Sequence, residues 1–475
     1  MLMWISKTIH KLSRMQRRLV VLLAVLGPGI ITMVADNDAG GISTYAQTGA
    51  KTGFSLLWVF IILVPMVYFI QEMTVRLGAA SKRGLAEAIF DGFGPFWGWF
   101  SIFDLVLINW LTLVTEYIGM TQALKLFNIP GVFPNGIPEW LTCLFVTALL
   151  LGIVISGKYW TFEKLTLVFC FFNLVYVPAA IWAMKTGNVS QGWSAVGQGF
   201  YNPDLQELVK YGLTPAALVL LLMANIGTTV TPWQIFFQQS AVVDKGVDVK
   251  DVKFSKYDTL AGAFITCLVA VFIVVVTAAL FHYNPDTTSG RWKEIDPQLG
   301  SWRDIESAKQ TAAAIPMVMT QHGWGDWAKV LFAIGLFDAG FLGALCISLS
   351  TSWALGEVFG WAHSLNRSVR EAPWFYVAYV LMLLLAGAVC VFSTEQLENQ
   401  ITILVQVAAV ILLPPTLIFL VLMLNDKSQM GEHANTLWQN IANWSIIIFV
   451  ILMSTLFGVS KLFPGVFGGD KMVIR

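Results

Sequence analysis

Asp36 and Asp38 lie in the middle of the first long apolar stretch of the chain, with only Asn37 between them. A carboxylate at the centre of a bilayer costs at least ~2.5–3.5 kcal/mol, so it needs a partner or a task. Two such groups close together repel each other, and a cation relieves both. Gly40 and Gly41 follow directly. They are expected to let the chain leave helical geometry and expose carbonyl oxygens. The sixth apolar stretch carries a second interruption, Gly227-Thr228-Thr229-Val230-Thr231-Pro232-Trp233. Pro232 removes one backbone donor and frees an upstream carbonyl. Thr228 and Thr231 add hydroxyls, and Gln406 in the tenth stretch offers an amide oxygen. The candidate metal ligands are therefore Asp38, Asp36, Gly41, Thr228, Thr231 and Gln406. All of them offer oxygen. The histidines are His10, His282, His322, His363 and His433, and none falls in either interruption. Carboxylate, carbonyl, hydroxyl and water suit hard cations such as Mg²⁺ and Ca²⁺, whereas thioether and imidazole suit softer metals.

Plainer accounts exist for each motif. The aspartates could be hydrated acids near an interface, but the apolar run continues well past them on both sides. The sixth-stretch motif could be a proline kink with its threonines bonded back to their own helix. The matching interruption in the first stretch weighs against that. Asp338, Glu116 and Trp233 also stand at membrane depth. Asp338 could line a route or pair with a backbone donor. Glu116 reads as structural or route-lining, and Trp233 as a wall of the site or an ordinary packed ring.

These residues need a membrane framework to hold them. The chain is 56% hydrophobic and 12% charged, against about 25% charged in soluble proteins. Mean hydropathy is +0.69. A span needs ~20 apolar residues, and only helices or closed barrels satisfy the backbone in lipid. No alternating pattern suggests a barrel. The expected fold is an all-α polytopic membrane protein of about eleven transmembrane helices, near 19–46, 54–77, 96–125, 138–157, 162–184, 213–240, 258–282, 328–356, 373–393, 398–424 and 442–464. The interrupted stretches, helices 1 and 6, hold equivalent places in two five-helix halves. Paired interruptions of this kind point to inverted repeats with the binding site between them. The expected organisation is a cytoplasmic amphipathic N-terminus at 1–18, a first five-helix repeat at 19–184, a second at 213–424, and an added eleventh span at 442–464.

Charge and cysteine content narrow the partners. Formal net charge is zero, so nothing favours nucleic acid. Cys143, Cys170, Cys267, Cys346 and Cys390 sit in apolar runs without a CxxC pair, and read as small buried hydrophobes. The clusters Arg76/Lys82/Arg83 and Lys245/Lys250/Lys253/Lys256 place the N-terminus in the cytoplasm and the C-terminus outside the cell. The expected location is a bacterial inner membrane. No nucleophile–base pair or phosphate-cradling loop suggests an enzyme. The partners implied are the lipid bilayer and a divalent cation, with no cofactor.

At these residues the chain resembles the NRAMP family of divalent-metal transporters. The likeness runs from Gly27-Pro28-Gly29 to the last span, and includes Gly53-Phe54-Ser55-Leu56-Leu57-Trp58, Gln239-Ser240-Ala241 and Gln406-Val407. It implies an inverted five-plus-five fold and cation import by alternating access. The departures are specific. Asp38-Ala39-Gly40-Gly41 stands where the family has Asp-Pro-Gly-Asn, and Thr231-Pro232-Trp233 where it has Met-Pro-His. Glu116 matches one acid of the family's third span, while Val106 and Leu113 occupy two other acid positions. This pattern is similar to the NRAMP-related magnesium transporters. It implies Mg²⁺ as substrate, with Mn²⁺ as a second candidate, and weak or absent proton coupling. Two alternatives share the fold type: a proton-coupled Mn²⁺/Fe²⁺ importer with drifted motifs, and a Na⁺-coupled symporter of an organic solute. A metal sensor without transport is a third.

Overall fold

The computed structural model describes residues 27–463, apart from 128–130, 135, 156–157, 188, 205–207, 209–211, 285, 287–288 and 320–324, together with 466–467. The expected N-terminal amphipathic segment, the start of the first span, His10 and His322 lie outside the described residues. Among the described residues the protein is helical and contains no strand.

The first span is two helices, α1 (Pro28–Val34) and α2 (Ala39–Thr52), with a turn at Ala35–Asp38 between them. α3 (Trp58–Ser81) is the second span. The short α4 (Leu85–Phe93) leads through Gly94, at φ 84°, into α5 (Pro95–Lys125), the third. α6 (Glu139–Ile155) is the fourth. The fifth is α7 (Tyr159–Phe172) and α8 (Tyr176–Thr186), joined by a 3₁₀ turn at Asn173–Val175. After α9 (Trp193–Tyr201) comes the broken sixth span, α10 (Pro215–Thr229) and α11 (Pro232–Lys245). α12 (Val252–Thr277) ends in a π-helical turn at Ala278–His282. α13 (Ala308–Val318), α14 (Gly325–Phe359), α15 (Pro373–Phe392) and α16 (Glu395–Asn425) follow. The last are the short α17 (Lys427–Met430) and α18 (Leu437–Leu462).

Nine stretches among the described residues are long and apolar enough to cross a membrane by length and composition. The shorter apolar α6 and the broken first span bring the total to eleven. Depth within the bundle differs among them. The most apolar part of α12 is 72% buried, against 17% for α18. α12 therefore lies within the core, packed on both α1 and α2, and α18 lies on the outside.

Each break has a local cause. Pro232 restricts the residue before it to extended geometry, and Thr231 adopts φ −116°, ψ 151°. A proline at the first helical position then starts α11, because its missing N–H would be unpaired there anyway. In the first span Asp38 is extended, at φ −74°, ψ 177°, and its carboxylate accepts from the Gly41 N–H. That is an N-cap, and it ends one helix and starts the next. The expectation that Gly40 and Gly41 unwind the chain is corrected here. Both lie in the first turn of α2, and the non-helical residues precede them.

The cationic clusters are largely paired. Arg76 Nε lies 3.0 Å from Glu72 Oε1, and Lys256 Nζ lies 2.8 Å from the same oxygen. Arg76 also donates to the His433 carbonyl at 2.9 Å and to Asn435 Oδ1 at 2.7 Å. This joins α3, α12 and the α17–α18 connection. All five cysteines are buried and free.

Candidate metal site between the two broken spans

The turn at Ala35–Asp38 is fixed from outside. The Thr266 hydroxyl donates to the Met33 carbonyl, and Asn37 Nδ2 donates to the Thr266 carbonyl at 3.2 Å. α12 thereby holds the C-terminal end of α1. On the other side, Glu116 of α5 accepts from the Ala39 N–H at 3.0 Å. It caps α2 together with Asp38, whose Oδ1 accepts from Gly41 N at 2.6 Å. Glu116 therefore has a structural task, as one of its sequence readings held.

Gly41 faces the sixth span. A Cβ added there would lie 2.7 Å from Thr228 Oγ1, 3.2 Å from Asp38 Oδ1 and 3.3 Å from the Asp36 carbonyl. Three oxygens of three residues thus surround the space that a side chain would fill. Gly40 does the same toward α16: a Cβ there would run into the Gln406 amide and lie 3.4 Å from Asp38 Oδ1. Asp38, Gly41, Thr228, Gln406 and the Asp36 carbonyl are therefore one group. Gly41 permits this close approach, and its carbonyl belongs to the first turn of α2.

Thr231 is held by its neighbour. Its backbone N–H donates to Gln234 Oε1 at 3.2 Å, and Gln71 of α3 donates to the same oxygen at 3.4 Å. Gln234 was not anticipated. Its position three residues past Thr231, an N-cap partner spacing, is the signal that could have found it.

Asp36, Asp38, Thr228, Thr231 and Gln406 are all 0% exposed. Both oxygens of Asp36, Oδ2 of Asp38, the hydroxyls of Thr228 and Thr231, and both amide atoms of Gln406 lack a hydrogen-bond partner. Each such buried polar group costs about 1–3 kcal/mol, and more when charged. Every side chain in the expected ligand set thus carries an unused oxygen. A hard cation would satisfy them. Among the described residues no three His, Cys, Asp or Glu side chains converge, so a cation here would rest on few charges and several neutral oxygens.

Trp233 and Asp338 have other partners. The Trp233 ring packs against Phe237, centroids 6.1 Å apart, and its carbonyl accepts from Ser350 at 2.9 Å. Asp338 accepts from Asn173 Nδ2 at 3.0 Å, a side-chain donor where a backbone one was considered.

α2 and α10 close against each other beyond the site. Tyr45 Oη and Thr229 Oγ1 are 3.0 Å apart, and Asn225 Nδ2 donates to Thr48 Oγ1 at 2.7 Å. α13 sits over α2, with Ala308 N donating to Ser43 Oγ at 3.0 Å. A cavity of about 440 Å³ lined by Phe54, His282, Tyr283 and Arg303 opens near the far end of α2. α2 has 14 residues, which puts that end roughly 21 Å from Asp38 at ~1.5 Å per residue. At the opposite end Asp258 of α12 accepts from the N–H groups of Gly27, Gly29 and Ile30, the Gly29 bond being 2.7 Å. Lys245 and Glu163 pair beside it at 2.6 Å. The site is occluded in this conformation.

Residues 29–460 match the family model described as natural resistance-associated macrophage protein-like. The divalent metal cation transporter MntH of Staphylococcus haemolyticus is 27% identical over 458 residues, covering 92% of each chain. MntH of Listeria innocua is 24% identical over 446 residues, covering 91% of this chain and 89% of its own. A crystal structure of the manganese transporter of Eremococcus coleocola superposes with TM-score 0.72 at 21% identity, covering 95% of this chain and 89% of the other. MhsT in complex with L-phenylalanine superposes with TM-score 0.61 at 13% identity, covering 93% and 98%. The chain shares the fold of both.

Proposed function

Since the chain belongs to the natural resistance-associated macrophage protein-like (Nramp) family, we propose that it carries a hard divalent cation, Mg²⁺ first and Mn²⁺ second, across the plasma membrane of a bacterium. The observation that carries this reading is the set of unpartnered oxygens at the two breaks: Asp36, Asp38 Oδ2, Thr228, Thr231 and Gln406. None of these side chains brings sulfur or imidazole. Asp38 holds the ion directly or through one water, since its Oδ2 remains free while Oδ1 caps α2. Asp36 adds charge and a backbone carbonyl. Thr228 and Gln406 close the shell from α10 and α16, and Thr231 approaches from the start of α11. Gly41 lets Thr228 come close to Asp38, because a Cβ there would lie 2.7 Å from Thr228 Oγ1.

The ion reaches this site from one side at a time. Opening on the α13 side requires α2 to part from α10 at Tyr45–Thr229. Opening on the other side requires α1 to leave Asp258. Import follows the membrane potential, which supplies ~2.3 kcal/mol per charge per 100 mV. Place the N-terminus in the cytoplasm, and the α1–Asp258 end becomes the inner exit.

A second reading is a proton-coupled Mn²⁺ carrier. It is favoured by the relatives, whose names specify divalent metal cations or manganese. Liposome uptake of Mg²⁺, Ca²⁺ and Mn²⁺ with simultaneous recording of internal pH separates the two. Mg²⁺ entry at constant internal pH supports the first reading. Acidification that tracks Mn²⁺, with no Mg²⁺ entry, supports the second.

A further inference from the structure

Asp338 is a buried acid at membrane depth that the site above does not use. It stands on α14 and is 3% exposed. Opposite it, the fifth span gives up α-helical geometry for one turn at Asn173–Val175. A 3₁₀ stretch inside a long helix often marks a functional hinge or local strain. Asn173 Nδ2 donates to Asp338 Oδ2 at 3.0 Å, which uses one donor and one carboxylate oxygen. Asp338 Oδ1, Asn173 Oδ1 and the Tyr176 hydroxyl stay buried without a partner. Gly335, one turn before Asp338, brings the phenol up to α14: a Cβ there would lie 2.6 Å from Tyr176 Oη. Acid, amide and phenol therefore meet at one helix crossing.

We propose that Asp338, Asn173 and Tyr176 form a second cation site, between the fifth and eighth spans, that takes a bare monovalent cation such as Na⁺. The three oxygens are one anionic and two neutral. A monovalent cation cancels the carboxylate charge, whereas a dication would leave a net positive charge in apolar surroundings, where unbalanced charge is costly. The site is distinct from the divalent one and does not depend on that reading. It is connected to it, because α14 also carries Gly343, where a Cβ would lie 2.8 Å from Glu116 Oε2 and 3.1 Å from Asp38 Cβ. One helix thus touches both places.

Thermal unfolding of the detergent-solubilised full chain in NaCl, compared with choline chloride at equal ionic strength, tests this. Ligands that bind only the folded state raise its stability. Na⁺ is expected to raise the unfolding temperature of the wild-type protein by a few degrees. Asp338→Asn should lose that shift, Tyr176→Phe should reduce it, and Asp38→Asn should keep it while losing divalent uptake. Binding of radioactive Na⁺ to the same four proteins should follow the same order. No Na⁺ effect on the wild-type protein overturns the proposal whatever the variants do. So does a shift that survives Asp338→Asn. Loss of the shift in Asp38→Asn, with Asp338→Asn unchanged, would instead assign Na⁺ to the divalent site.

Discussion

The two oxygens of Asp38 differ. Oδ1 caps α2 through Gly41 N, and Oδ2 is free. Asp38→Asn keeps a cap, because Asn is as good an N-cap as Asp, and removes the charge. Saturable Mg²⁺ uptake into liposomes should fall at least tenfold, with the unfolding temperature nearly unchanged. Normal uptake by this variant would mean the ion binds elsewhere. Gly41→Ala tests the shared space: its methyl would enter the position 2.7 Å from Thr228 Oγ1. Mg²⁺ uptake in the same liposome assay should drop, because the methyl also crowds Asp38 Oδ1 and the Asp36 carbonyl. Thr231→Met replaces a hard oxygen with a thioether, and competition assays should show Mn²⁺ gaining on Mg²⁺. The buried polar cluster was legible in the sequence because acids, threonines and an amide at membrane depth have few other uses. The division of labour within Asp38 was not, because capping depends on where the helix starts. Gly41 was misread for the same reason: a glycine beside a break is as easily the first helical turn as the last loop residue.

At the scale of helices, both breaks could be read because proline and extended geometry are coupled locally, and because two interruptions in corresponding places reinforce each other. What holds the half-helices could not. Asp258 caps α1 from far along the chain, as does Glu116 for α2, and no local pattern pairs such positions. Asp258→Ala removes three acceptor contacts from the α1 N-terminus. Hydrogen exchange of the peptide covering Pro28–Val34 should speed up, with the peptide covering Ala39–Thr52 changing little. Equal acceleration of both would mean that the two halves of the first span move together.

At the scale of the whole chain, hydropathy was enough to count spans, but the burial order needed the packing. The last span is mostly exposed and α12 mostly buried, although both are strongly apolar. The Arg76–Glu72–Lys256 group fastens three parts of the chain at one end of the bundle. Arg76→Ala leaves Glu72 with one partner and frees the His433 carbonyl and Asn435. Such a loss costs about 1–3 kcal/mol, to be seen as a lower unfolding temperature in detergent with metal selectivity unchanged. The seals at either end of the site have a wider meaning. Tyr45–Thr229 closes one approach and Asp258 the other. Collective helix motions take microseconds to milliseconds, so a machine that must complete one per ion tops out at roughly 10³–10⁶ ions per second. A cell relying on it would set its supply by how many copies it makes, as a ferry company adds boats, and would never need to guard against a flood through an open door.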